Sequence, residues 1–152
     1  MQGRAFKFGD NISTDHIAPG RLFHLRSDLQ EFSKHVLEDA DENFAKNMNK
    51  GDFVVAGNNF GLGSSREHAP QIIKIAGVGA VIAKSFARIF YRNAINIGLL
   101  AIECDTDGID AGDELDLDIK EGTLKNLTKG TTTMIEPLPD VMIRLLNDGG
   151  LI

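Results

Sequence analysis

The sequence has few of the residues that disulfide frameworks, metal clusters and stacking platforms need. Its 152 residues include a single cysteine, Cys104, which excludes an internal disulfide. One thiol also excludes an iron–sulfur cluster held by this chain alone, and no metal site is predicted. With no tryptophan and one tyrosine, the chain is not expected to stack single-stranded nucleic acid.

Basic charge and long apolar runs are scarce as well. Sixteen Lys and Arg residues against 22 Asp and Glu residues give a net charge of −6, which disfavours nucleic acid as a partner. No apolar run approaches the roughly 20 residues of a membrane-spanning helix. The segment Met1–Arg4 lacks an apolar signal core, so we expect a cytoplasmic protein. The length fits one domain, residues 1–152, with a sizeable core.

The order of apolar patterns predicts an α/β fold. Short apolar or alternating runs predict strands at residues 4–8, 53–56, 80–83, 99–102, 113–119, 123–127 and 131–135. Helical spacing predicts helices at residues 71–76, 86–97 and 139–147, and one or two helices within 28–47. Strands that alternate with helices favour parallel pairing. We therefore predict a single β/β/α domain with a central parallel or mixed sheet, flanking helices and a C-terminal antiparallel β portion.

Three details of this prediction concern the segments between the strands. Residues 12–21 are rich in short polar side chains and end in Pro-Gly, so they predict a loop that continues to residue 26. The acidic run Glu38–Glu42 predicts a solvated bend. In the helix at 86–97, one face is expected to contain Phe86, Ile89, Phe90, Asn93 and Ile97.

The segment Gly57–Pro70 lies at the junction of a predicted strand and a predicted helix. Gly61 and Gly63 allow the backbone to turn tightly and approach an anion closely, and we predict that they form an anion cradle. Ser64, Ser65 and Arg66 follow where the helix begins, and free N–H groups there favour anions. Alternatively, Ser64 and Glu67 form a capping box, which requires no chemistry. The two interpretations are compatible.

For three other polar or reactive residues, a structural role without chemistry is an alternative to a functional role. Asp15 can be a turn or N-cap residue that bonds its own backbone. His16 can be a partly buried, neutral imidazole, and Cys104 is expected to be a small buried thiol.

Three blocks of sequence together resemble a known family. Residues 9–17 (GDNISTDHI), 59–69 (NFGLGSSREHA) and 83–89 (AKSFARI) resemble the small, swivelling domain of the aconitase superfamily. The short, free-standing form resembles the small subunits of the isopropylmalate dehydratase and homoaconitase type. The resemblance implies a hydro-lyase that removes and re-adds water on a hydroxy di- or tricarboxylic acid.

The resemblance also implies a division of labour between two chains. An iron–sulfur cluster is expected on a large partner subunit, in a heterodimer or heterotetramer, with no cofactor bound by this chain. Ser64 matches the base that removes a proton from carbon, and Asp15 matches an active-site acid that we assign to orienting its neighbours. Ser65 and Arg66 match contacts to a substrate carboxylate.

The segment Leu22–Arg26 does not decide which hydroxy acid is the substrate. Arg26 matches a basic residue that reaches a substrate carboxylate, and the residues before it set substrate choice in the family. A hydrophobic middle residue suits an isopropyl group and a basic one suits an extra carboxylate, but His24 departs from both patterns. We expect isopropylmalate first, with homocitrate, citrate and dimethylmalate as alternatives. A rival of another class is a small-anion binding module without catalysis.

Overall fold

A seven-stranded mixed sheet, in the order β4-β3-β2-β1-β5-β6-β7, forms the centre of the fold. The computed structural model describes residues 1–64 and 68–147. The strands are β1 (Gln2–Lys7), β2 (Phe53–Ala56), β3 (Ala80–Ala83), β4 (Ala101–Glu103), β5 (Glu114–Asp118), β6 (Thr123–Asn126) and β7 (Thr131–Met134). The predicted strands are all present, with ends that match or differ by at most two residues.

The strands β1 to β4 form the parallel half of the sheet. Val54 of β2 pairs with Phe6 of β1 on one side and with Val81 of β3 on the other. Every residue of β2 and of β3 is buried. Continuous apolar strands are expected where both faces of a parallel sheet are covered, so the prediction for this half is confirmed.

The strands β5 to β7 form the antiparallel half, which joins the parallel half through β1 and β5. Burial alternates along β5, with Leu115 and Leu117 inside and Glu114 exposed, as the sequence predicts. After β7 the chain returns to β4, where the Glu136 N–H donates to the Glu103 carbonyl at 2.8 Å. The sheet therefore curls, and the predicted antiparallel portion folds back over one face of the parallel half.

Six helices and one 3₁₀ segment are present among the described residues. They are α1 (Thr14–Ile17), the 3₁₀ segment (Gly20–Ser27), α2 (Leu29–Ser33), α3 (Phe44–Asn47), α4 (His68–Ala76), α5 (Arg88–Asn96) and α6 (Asp140–Asn147). Within the described parts of the chain, no helix is long and apolar enough to cross a membrane.

The two faces of the sheet bury separate apolar clusters. One cluster joins the sheet to α2, α4 and α5, and its large members include Phe32, Phe44, Phe60 and Ile72. The other lies between the parallel strands and the curled antiparallel strands, and includes Phe53, Ile82, Ile102 and Leu115. The first cluster holds the loops and short helices at the carboxyl edge of the parallel strands.

The prediction of a continuous loop over residues 12–26 is wrong. The region forms α1 and most of the 3₁₀ segment, within which Leu22 has non-helical backbone angles. A helix of four residues is too short to show a 3.6-residue period, so the pattern gave no sign of it. In the following region, the two short helices α2 and α3 agree with the expectation of one or two helices.

Candidate functional site

Three segments of the chain meet just beyond the carboxyl ends of β1, β2 and β3. The Thr14 N–H donates to the Leu62 carbonyl at 2.9 Å, which joins the first segment to the glycine-rich loop. On its other side, the loop joins the third segment, because the Phe60 N–H donates to the Ser85 carbonyl at 3.1 Å. Ligands of open α/β sheets bind at this edge. The three blocks that carry the family resemblance are therefore neighbours in space.

Ser64 lies at this edge and is exposed. Its Oγ lies 3.5 Å from Oγ1 of Thr14, a residue that is only 3% exposed. A Cβ at Gly63, where φ is +109°, would lie 3.2 Å from the same Thr14 Oγ1. Glycine at 63 thus lets the buried threonine approach the loop beside Ser64. Thr14 was not predicted as a site residue, and in the sequence only its position directly before Asp15 points to it.

Gly61 has a packing role that the sequence did not reveal. Its φ is +87°, and a Cβ there would lie 2.3 Å from Cγ of Phe90. Its N–H donates to the Ile12 carbonyl at 2.6 Å, so that donor is already used inside the protein. Of the two glycines in the predicted anion cradle, we therefore keep only Gly63 as a candidate for anion binding.

Asp15 lies exposed in the first turn of α1, whose N-terminus is closed by a reciprocal cap. The Ser13 Oγ accepts the His16 N–H at 3.2 Å, and the His16 Nδ1 accepts the Ser13 N–H at 2.9 Å. Ser13 is therefore the N-cap, and the alternative that Asp15 caps the helix is wrong. The spacing of Ser13 and His16 is that of a capping box with histidine in place of glutamate or glutamine.

His16 is half-buried, as its structural interpretation predicted. Because its Nδ1 accepts a backbone N–H, the neutral ring has its proton on Nε2. The side chain lines a surface hollow of about 540 Å³ together with Lys7, Asp10 and Asp39. His16 thus holds the helix that contains Asp15.

His24 and Arg26 are both exposed on the 3₁₀ segment. The Arg26 guanidinium carbon lies 4.4 Å from the centre of the Phe23 ring, and Nη1 donates to the Phe23 carbonyl at 3.1 Å. Phe23 also contacts His68, the first residue of α4, with ring centres 5.4 Å apart. This contact places the 3₁₀ segment next to the start of the helix that follows Ser64.

The His68 ring also stacks on Phe32 of α2, with ring centres 5.5 Å apart. The 3₁₀ segment, α2 and the start of α4 are therefore joined through one imidazole ring. His68 is a second residue of this region that the sequence analysis did not identify.

The predicted contacts of Ser65 and Arg66 lie outside the described residues, as does Glu67 of the alternative capping box. Their roles stay predictions.

The acidic run Glu38–Glu42 forms the predicted turn, with residues 39–42 exposed, but two of its carboxylates are paired with Arg21. Arg21 Nη2 lies 2.6 Å from Glu38 Oε1 and 3.0 Å from Asp39 Oδ1. The hydrogen bond from Arg21, followed by one from His35, lowers the pKa of the Glu38 carboxyl. The acidic turn is thus bound to the beginning of the 3₁₀ segment.

The residues that the structure describes do not fit a metal cluster. Cys104 is buried as predicted, and burial, with a smaller effect from Asp105, raises the pKa of its thiol to about 11. A thiol that resists ionisation is a poor cluster ligand. The described residues also contain no group of three or more His, Cys, Asp or Glu side chains placed to hold a metal ion.

Comparisons with known proteins identify the family. The profile of the aconitase C-terminal domain matches residues 10–107. A 3-isopropylmalate dehydratase small subunit of Archaeoglobus fulgidus is 62% identical over 152 residues, which cover 100% of this chain and 92% of the relative. This chain belongs to the aconitase C-terminal domain family, among the 3-isopropylmalate dehydratase small subunits. The resemblance seen in the three sequence blocks is confirmed.

Other members of this small-subunit family agree in sequence and in fold. A small subunit from Thermotoga maritima is 61% identical over 153 residues, covering 100% of this chain and 92% of its own. The crystal structure of 3-isopropylmalate dehydratase (LeuD) from Methanocaldococcus jannaschii superposes with a TM-score of 0.91 at 47% identity. That match covers 97% of this chain and 88% of the other. The predicted α/β fold with its antiparallel portion is the fold of this family.

Proposed function

We propose that this chain is the small subunit of a 3-isopropylmalate dehydratase, a hydro-lyase of leucine biosynthesis. The enzyme would isomerise its substrate by removing water and adding it back. One observation carries the proposal furthest: an exposed serine hydroxyl, Ser64, lies beside a buried threonine hydroxyl at the carboxyl edge of the sheet. The names of relatives 53–62% identical over nearly the whole chain support the same reaction.

Ser64 is proposed as the base that accepts a proton from the carbon next to a substrate carboxylate. A free serine is a weak base, so its oxygen needs donors that stabilise the alkoxide form. The Thr14 hydroxyl, 3.5 Å away, can donate to that oxygen, and hydrogen bonds at such sites often shorten when substrate binds. Backbone N–H groups of the glycine-rich loop are proposed as further donors. These donors stabilise the charged alkoxide form of Ser64, which is neutralised when it accepts the proton and forms again when the proton is returned.

The substrate carboxylates are assigned to basic and hydroxyl groups around Ser64. Arg66 and Ser65 would bind one carboxylate, since guanidinium matches the two oxygens of a carboxylate. Arg26 would bind another, and to do so its guanidinium must exchange the Phe23 ring and carbonyl for the ligand. Asp15, fixed on α1 by the Ser13–His16 cap, would orient neighbouring groups of the assembled site.

The choice of 3-isopropylmalate implies a neutral role for His24. His24 is exposed on a segment whose neighbours Phe23 and Leu25 are apolar. A neutral imidazole on such a surface would contact an isopropyl group more favourably than it would contact a third carboxylate. With homocitrate or citrate, which have that third carboxylate, His24 would instead bind the extra carboxylate.

We propose that catalysis requires a large partner subunit with an iron–sulfur cluster. When bound there, the cluster supplies a Lewis acid for the substrate hydroxyl. The small-subunit names of the relatives support a two-chain enzyme, with a heterodimer or heterotetramer as the proposed assembly. A cytoplasmic location is part of the same proposal.

Reconstitution tests this function and its rival, a small-anion binding module. The chain is mixed with the cluster-loaded large subunit, and formation of the unsaturated acid is followed from isopropylmalate, homocitrate, citrate and dimethylmalate. We expect turnover of isopropylmalate that requires both chains. Anion binding by this chain without turnover in any intact complex would favour the binding module. Preference for a tricarboxylate would keep the reaction class but reject the proposed substrate.

A further inference from the structure

Arg21 binds two carboxylates that lie outside the 3₁₀ segment in which it occurs. Its Nη2 contacts Glu38 Oε1 at 2.6 Å and Asp39 Oδ1 at 3.0 Å, and its Nε donates to Asp39 Oδ1 at 3.3 Å. The other Glu38 oxygen, Oε2, lies 2.6 Å from His35 Nδ1. We refer to these four residues, Arg21, His35, Glu38 and Asp39, as the Arg21 clamp.

The carboxylates of the clamp lie on a turn that is firmly attached to α1. The Leu37 N–H donates to the carbonyl of Ile17, the last residue of α1, at 2.9 Å. Leu37 is fully buried and has a φ of +58°, a conformation that leucine rarely adopts. Its carbonyl accepts the N–H groups of Ala40 and Asp41 at 3.0 and 2.8 Å. Glu38 and Asp39 therefore have a fixed position relative to the helix that contains Asp15.

Apolar packing holds the 3₁₀ segment only in part, through the partly buried side chains of Leu22 and Leu25. None of its residues is buried, and its helical geometry is interrupted at Leu22. The ring contact between Phe23 and His68 holds its middle, and the Arg21 clamp holds its beginning. An isolated surface ion pair contributes little, whereas several short, multidentate charged contacts act as a network.

We propose that Arg21 is a positioning residue for substrate binding: the Arg21 clamp fixes the 3₁₀ segment so that His24 and Arg26 face the ligand. This inference rests on the proposed function for its kinetic consequence. Arg21 itself is not assigned a contact with substrate. The clamp links two parts of the candidate site: α1, which contains Asp15, and the 3₁₀ segment, which contains His24 and Arg26. The link runs through the acidic turn that holds Glu38 and Asp39.

The kinetic test uses the complex with the large subunit and variants that keep or break the clamp. Arg21→Ala should raise KM for isopropylmalate about fivefold with kcat within about twofold, the size typical of coupling in a charged network. Arg21→Lys should recover part of the loss, because an ammonium cannot copy the guanidinium fork. The double variant Arg21→Ala/Glu38→Gln should be no worse than Arg21→Ala. Lys34→Ala is the control, since it removes an exposed ion pair to Glu31 on α2 that does not reach the 3₁₀ segment.

A second readout does not depend on turnover. Trypsin cleavage after Arg26 in the folded full chain should be severalfold faster in Arg21→Ala than in wild type or Lys34→Ala, because the segment opens more often. An unchanged KM in an active complex, or an unchanged cleavage rate, would overturn the proposal. If the wild-type complex turns over no hydroxy acid, the proposed function fails, and the cleavage rate still decides whether the clamp fixes the segment.

Discussion

The hydroxyl oxygens of Thr14 and Ser64 lie 3.5 Å apart, although 50 residues separate them in the sequence. Thr14 is buried and Ser64 is exposed, so the pair joins the protein interior to the open edge of the sheet. The short helix α1 holds one partner and the glycine-rich loop holds the other. This contact places a hydroxyl group that can donate a hydrogen bond beside the proposed base before substrate binds.

Replacing Thr14 by valine should slow catalysis and leave the fold in place. Valine keeps the shape of the buried side chain but removes the donor to Ser64. We expect kcat of the reconstituted complex to fall about tenfold, less than for a well-aligned oxyanion donor because the contact is long. Thr14→Ser retains the hydroxyl and should keep most of the activity. Equal kcat values for Thr14→Val and wild type would show that Thr14 does not assist Ser64.

Replacing Gly61 by alanine should strongly destabilise the chain. The new Cβ would lie 2.3 Å from the Phe90 ring, at a φ of +87° that disfavours any side chain. Overpacking and backbone strain together should lower the free energy of unfolding by about 3 kcal/mol, measured by urea denaturation. Gly9→Ala is a matched control, because its Cβ would meet no atom within 4 Å. Similar unfolding curves for both variants would contradict the close packing at Gly61.

The stability of the fold should depend on pH through the carboxyl group of Asp113. Hydrogen bonds to its carboxylate from the Asp110 N–H and the Asn126 amide lower its pKa. A lowered pKa stabilises the fold above the ordinary carboxyl pKa, and this stabilisation is lost as the pH falls through the lowered value. The Tm difference between wild type and Asp113→Asn should therefore shrink between about pH 5 and pH 2. A constant difference over that range would mean that the carboxylate's charge has no such effect.

Cys104 should react slowly in the folded protein. A rise of its pKa from 9.0 to about 11 lowers the thiolate fraction about a hundredfold near neutral pH, and burial slows access further. Alkylation at pH near 8 should be at least about a hundredfold slower in buffer than in urea. Because the unfolded thiol ionises first, stability should also fall as the pH rises above 9.0. Labelling at similar rates in buffer and urea would contradict the buried site.

The strands could be predicted because buried strands have short runs of apolar residues and half-buried strands have alternating apolar and polar residues. β2 and β3 are apolar throughout and buried on both faces, and β5 alternates because one face meets solvent. The apolar face of α5 was predicted less well. Ile89 is 49% exposed, while Ala94 and Ile95 are buried, because contacts of Phe90 with Phe60 and the backbone at Gly61 set the rotation of the helix. Such contacts come from distant segments and leave no periodic signal.

The candidate site was only partly visible in the sequence. The glycine-rich loop indicated an anion site, and the family resemblance added Asp15 and Arg26. The contact of Thr14 with Ser64, the ring of His68 and the Arg21 clamp each join residues that are far apart in the chain. Their partners are decided by the curl of the sheet and the packing of short helices, so spacing alone could not reveal them.

The most direct test of the account is kcat of the reconstituted complex that contains Ser64→Ala in this chain. The variant removes the proposed proton acceptor, while the basic groups assigned to the carboxylates remain. We expect kcat to fall by at least about a thousandfold with KM changed only a few-fold, as for loss of a group that acts in the transition state. Ser64→Cys, which keeps an ionisable side chain at the same position, serves as a second comparison. A kcat within about tenfold of wild type in Ser64→Ala, from a complex with an intact cluster, would contradict Ser64 as the base.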